Sequence, residues 1–117
     1  MKITWRGDSC FEISSVNKEK DNILIIIDPL ESDKKSKIAG DIVLKSHTFD
    51  SEGLKTDEQF VVSACGEYER KGVFIQGIPS LQVEKKKNII YAIEAEGVRI
   101  CHLGYFGEED LNDEQLT

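Results

Sequence analysis

The chain has 117 residues, 39% hydrophobic and 32% charged, which suits one globular domain over residues 1–117 and excludes a second full domain or disorder as the default state. Its net charge is −7, but five acids (Glu108, Glu109, Asp110, Asp113, Glu114) fall in the last ten residues without a base, leaving 17 acids against 15 bases elsewhere. That near balance supplies no basic field for nucleic acid or an anionic membrane.

Beta-branched and aromatic runs bounded by Gly, Asn, Asp or Pro predict strands at Lys2–Arg6, Phe11–Val16, Ile23–Asp28, Ile42–Ser46, Phe60–Ala64, Val73–Ile78, Ile89–Glu94 and Val98–His102. In the first two, Ile3/Trp5 and Phe11/Ile13 alternate with Lys2/Thr4 and Glu12/Ser14, which predicts one wet face each. The run Ile23 to Ile27 does not alternate and is expected to be buried on both faces. It is also the longest apolar run, far short of the roughly twenty residues of a membrane span. Asn17–Asn22, Glu69–Gly72 and Glu94–Gly97 read as hairpin turns, so much of the sheet is expected to be antiparallel. Helical signal is confined to short windows and to Asn112, which with Gln115 reads as a capping box opening a last turn.

Few residues could carry chemistry. Three cysteines, Cys10, Cys65 and Cys101, at wide spacing and without a basic-then-apolar leader, point to a reducing cytoplasm and read as small buried apolar residues. The two histidines, His47 and His102, each end a strand, where satisfying a backbone group stands beside display of a ligand. A zinc site from His47, His102, Cys65 and Cys101 has suitable ligand types but no CxxC or HxxxH spacing, and adjacent Cys101 and His102 would face opposite ways in a strand. Asp28 before Pro29 closes the most buried strand, either as a turn former or as an acid supporting a site from behind.

The blocks Met1-Lys-Ile-Thr-Trp-Arg-Gly7-Asp-Ser-Cys-Phe11, Ile25-Ile-Ile-Asp28-Pro29, Asp41-Ile-Val-Leu-Lys-Ser-His47, Gly66 to Pro79, Asn88-Ile-Ile-Tyr91 and Gly97-Val-Arg-Ile-Cys-His102-Leu-Gly104 occur in this order. Together they resemble the N-terminal half of the metallo-β-lactamase superfamily, closest to its branch of short bacterial Zn-dependent hydrolase-like proteins. The resemblance implies an α/β class, half of a four-layer αββα sandwich, with this chain itself mostly β and largely antiparallel. It also implies metals at the sheet edges, held by an HxHxDH motif. Here His47 falls on the first histidine of that motif, Phe49 on the second, Ser51 (or Asp50, with one residue deleted) on the aspartate and Glu52 on the last histidine. Asp8 stands for an early histidine, Leu81-Gln82-Val83 for a Phe-His-Asp, and Tyr105 for the bridging aspartate.

Catalytic zinc takes about three protein ligands, so the expectation is a non-catalytic binding or structural module with a degenerate metal site, acting through self-association or partner assembly. His47 is then a vestigial metal ligand, Asp50 a poorer one, and Asp28 and His102 supporting groups; no catalytic residue and no cofactor are expected. The alternative is a metal-dependent hydrolase of phosphoester or lactone type, using zinc, with its site completed by another chain. The expected partner is a second copy or a C-terminal-half-like chain. The resemblance further implies that the inner face of the sheet, Ile93 included, lies uncovered.

Overall fold

The structure, a computed structural model, describes residues 1–29, 41–46, 60–82, 86–104, 106–107 and 115. Among these are the strands β1 (Lys2–Gly7), β2 (Cys10–Val16), β3 (Asn22–Ile27), β4 (Ile42–Leu44), β5 (Phe60–Val62), β6 (Gly66–Arg70), β7 (Val73–Leu81), β8 (Lys87–Ala95) and β9 (Val98–His102). They form a five-stranded sheet in the order β1-β2-β3-β4-β5 and a four-stranded sheet in the order β6-β7-β8-β9. The second sheet is antiparallel throughout, whereas in the first β3-β4 and β4-β5 pair in parallel. The fold is therefore mostly β and largely antiparallel, as the sequence implies. Among the described residues no helix is long and apolar enough to cross a membrane.

Turn chemistry accounts for the hairpins. At Lys71–Gly72 and Glu96–Gly97 both turn residues have positive φ, and glycine takes the second place, where the left-handed conformation costs it least. Before β3, the Asn17 side chain accepts from the amides of Glu19 and Asp21 and so folds the connection from β2 onto itself.

The two sheets pack face to face. Ile13, Ile23, Ile25, Ile27, Ile42, Leu44 and Val62 of the first meet Val73, Ile75, Ile89, Tyr91, Ile93 and Ala95 of the second in one continuous core. Strand β3 is covered on both sides, since Ile26, with half-buried Leu24 beside it, joins Cys10 and Val43 in a smaller cluster behind the sheet. The expectation of an uncovered inner face is thus corrected: the chain's own second sheet covers it, and Ile93 is 0% exposed.

Strand β1 departs from its expected pattern in the other direction. Ile3 and Trp5 remain 52% and 66% exposed, so both faces of β1 are wet. The cause is position, because β1 is the outer strand of its sheet. Ile3 lies opposite Ile13 and Trp5 opposite Phe11, so the apolar face runs out of the core onto an open edge. Strand β6 is absent from the sequence expectation, since Glu67, Glu69 and Arg70 surround its one large apolar residue, Tyr68. The turn placed at Glu69–Gly72 narrows to Lys71–Gly72. Of the C-terminal stretch, Gln115 is helical and donates from Nε2 to the Pro79 carbonyl (3.1 Å); Asn112 lies outside the described residues.

Candidate functional site

Because β3 and β4 run parallel, their C-terminal ends lie side by side. There Asp28 and Ser46 meet Asn88 at the start of β8 and the segment that follows β9. Asp28 has a positive φ of 50°, a conformation Asp tolerates better than most residues. Its amide donates to the Leu44 carbonyl (2.8 Å), while its carboxylate accepts from the Ser46 amide (2.7 Å) and the Ser46 hydroxyl. The Ser46 carbonyl accepts from the Ile89 amide (2.8 Å), tying the first sheet to the second. Nearby, Tyr91 Oη donates to the Lys45 carbonyl (2.8 Å). Burial, and then the Asp28 charge, push the Tyr91 phenol far above the ordinary tyrosine range.

Buried Asn88 donates from Nδ2 to Ser80 Oγ (2.7 Å) and to the Leu103 carbonyl (2.9 Å). Gly104 has φ +62°, and a Cβ there would come within 2.5 Å of Asn88 Oδ1 and 2.7 Å of Ser46 Oγ. Only glycine lets the backbone approach Ser46 and Asn88 this closely. His102 is nine-tenths buried, and its ring stands edge-on to Phe11 with centroids 5.6 Å apart. Its Nε2 lies 2.8 Å from the Ser9 carbonyl and its Nδ1 3.1 Å from the Gly104 amide.

Beside this platform lies a cavity of about 510 Å³ lined by apolar side chains including Ile3, Phe11, Ile100 and Leu103, with Asp8 and His102 also in its wall. It opens on the side where β1 and β9 are the outer strands.

Two of the site residues read from the sequence, Asp28 and His102, are thus brought to one end of the sandwich, linked through Ser46 and Gly104. His47, which follows Ser46 in the sequence, and Asp50 lie outside the described residues, as do Phe49, Ser51, Glu52 and Tyr105. Among the described residues no three His, Cys, Asp or Glu side chains group closely enough to hold a metal ion. Both His102 nitrogens and both Asp28 oxygens already engage protein groups, so the described residues do not by themselves fit a catalytic metal. Cys10 is buried as expected, but Cys65 and Cys101 are exposed, a correction that follows from their places in the bend just before β6 and on the outward face of outer strand β9. Cys101 and His102 face opposite ways, as strand geometry requires. Sequence reasoning missed Ser46, Ser80, Asn88 and Gly104; the one signal available was a polar Asn88 heading an otherwise apolar strand.

A Beta-lactamase superfamily domain family matches residues 2–117. The chain belongs to the metallo-β-lactamase superfamily. Among solved structures it is similar to a protein from Thermotoga maritima, described as a provisionally assigned Zn-dependent hydrolase of this superfamily. That similarity has a TM-score of 0.66 and 30% sequence identity, covering 87% of this chain and 48% of that one. This superfamily member therefore spans about half the length of that neighbour. No curated protein matches it significantly.

Proposed function

We propose that this superfamily member is a non-catalytic binding and structural module that works by assembling with a second copy of itself. The observation that carries the non-catalytic reading is the chemistry at the strand ends. The carboxylate of Asp28 and both nitrogens of His102 are committed to hydrogen bonds within the chain, where a catalytic zinc centre wants about three side chains free to ligate.

Assembly is supported by the open edge. Ile3, Trp5, Val98 and Leu103 are exposed large apolar residues, and Ile3 and Leu103 line the cavity that opens there. A second copy can pair with β9, the outer strand of the second sheet. Antiparallel pairing of β9 about Ile100 sets Arg99 against Cys101 of the partner subunit and Val98 against His102 of the partner subunit, with no like charges opposed. A twofold interface needs only this one self-complementary edge. Light scattering at micromolar concentration is expected to give a dimer or larger species, and Val98→Lys to shift it to monomer. A wild-type monomer across that range would remove the assembly reading.

The second reading, a metal-dependent hydrolase with its site completed by another chain, draws on the 30% identity to a protein described as a provisionally assigned Zn-dependent hydrolase. On that reading a tightly held ion would accompany the protein.

A further inference from the structure

The geometry points to His102 as a proton-operated latch that, in its neutral form alone, holds the Leu103–Gly104 segment down on the Ser46–Asn88 platform. The two partners of the ring have opposite and fixed roles. The Ser9 carbonyl can only accept, so the hydrogen sits on Nε2; the Gly104 amide can only donate, so Nδ1 must keep its lone pair. Imidazolium carries a hydrogen on both nitrogens and has no acceptor. Protonation would therefore aim an N–H at the Gly104 N–H from 3.1 Å, donor against donor. The Nε2–H bond to Ser9 survives protonation, a half-turn of the ring gives Gly104 no acceptor, and burial against Phe11 leaves little room for another orientation.

Relief must come from the segment after β9. It is held from one side by the Gly104 amide on His102 and from the other by Asn88 Nδ2 on the Leu103 carbonyl, with Gly104 pressed against Ser46 at a distance that admits no Cβ. Among the described residues, removing the histidine bond leaves Leu103 held by Asn88 and the chain fixed again only at Gly107, whose amide donates to the Leu81 carbonyl (2.8 Å). Among the described residues, Asn88 Oδ1 and Ser46 Oγ stand on the Cα side of Gly104, and the titratable and charged groups around the ring are engaged elsewhere or only share the cavity wall. Tyr91 lies opposite in the β8-β9 register with its hydroxyl committed to the Lys45 carbonyl. Asp8, in the β1-β2 turn, shares the cavity wall. Cys101 is on the other face of β9, Arg6 and Glu12 pair with each other, and Asp28 is occupied by Ser46. Since Leu103 and Gly104 also line the cavity at the open edge, release of the segment would reshape that surface when the pH falls.

The latch stands on geometry within one chain and does not depend on the assembly reading. It is tested by ¹⁵N NMR of the full chain, lowering the pH from about 8 until the His102 ring nitrogens report the added proton. With only two histidines, His47→Ala assigns the His102 ring. The expected results are the Nε2–H tautomer near neutral pH and, in step with the His102 titration, a loss of about tenfold in Gly104 amide protection relative to its intrinsic exchange rate. His102→Gln should abolish that step. If the glutamine variant fails to fold, the wild-type spectra still decide. An Nδ1–H tautomer near neutral pH, or Gly104 protection unchanged while His102 titrates, would overturn the latch.

Discussion

Replacing Ile25 by alanine probes the two-sheet core at its centre. Ile25 is 0% exposed and sits mid-strand in β3, between Ile13 of β2 and Ile42 of β4, facing the second sheet. The change removes three carbons, worth about 2.4 kcal/mol at roughly 0.8 kcal/mol per buried methylene. Neighbours fixed in two hydrogen-bonded sheets cannot close the resulting gap fully, which raises the expected cost into the range of about 2–5 kcal/mol. Against a total of about 5–15 kcal/mol for a domain, that is a large fraction. Ile3→Ala is the internal control: the same chemistry at a site 52% exposed should cost about 1 kcal/mol or less. Urea melts of both variants should show a lowered midpoint for Ile25→Ala with an unchanged m-value. Equal losses at the two positions, or a loss below about 1 kcal/mol at Ile25, would mean that the sheets do not enclose β3 as described.

Gly104→Ala should destabilise the chain by about 1–3 kcal/mol in the same melts, because the added Cβ would overlap Asn88 and Ser46 at a residue with positive φ; near-neutrality would show that the segment does not press on that platform. Glu96 accepts from the Ser15 hydroxyl and pairs with the Met1 amino group, and these hold its carboxyl below the ordinary range. Its stabilisation is therefore present above the ordinary glutamate value and lost as pH falls through the lowered one. Melts between about pH 6 and 3 should show a shallower acid decline for Glu96→Gln than for wild type.

The parts of the fold that were legible in the sequence are those where the hydrophobic pattern had no competitor. The unbroken Ile23 to Ile27 run can satisfy five apolar side chains only by cover on both faces, and β3 has it. The glycines at 72 and 97 mark turns that need positive φ, and both hairpins turn there. Strand β6 was illegible because pairing with β7, rather than burial of its own side chains, holds it in the sheet. The openness of β1 was illegible because alternation reports which residues share a face, not whether anything lies over that face. At the strand ends, Asp28 and His102 were readable as titratable groups beside turns. Their linkage was not, because it runs through a serine hydroxyl and a glycine amide contributed by segments distant in sequence.

The metal content of the purified chain separates the proposed non-catalytic module from a metal-dependent hydrolase. Elemental analysis after gel filtration in chelator-free buffer should find zinc, manganese and iron each well below one ion per chain, because the described groups at the strand ends are hydrogen-bonded to one another and about three free ligands are needed for a catalytic zinc. One or two ions per chain, lost on His47→Ala, would contradict the non-catalytic reading and show a metal centre that includes His47.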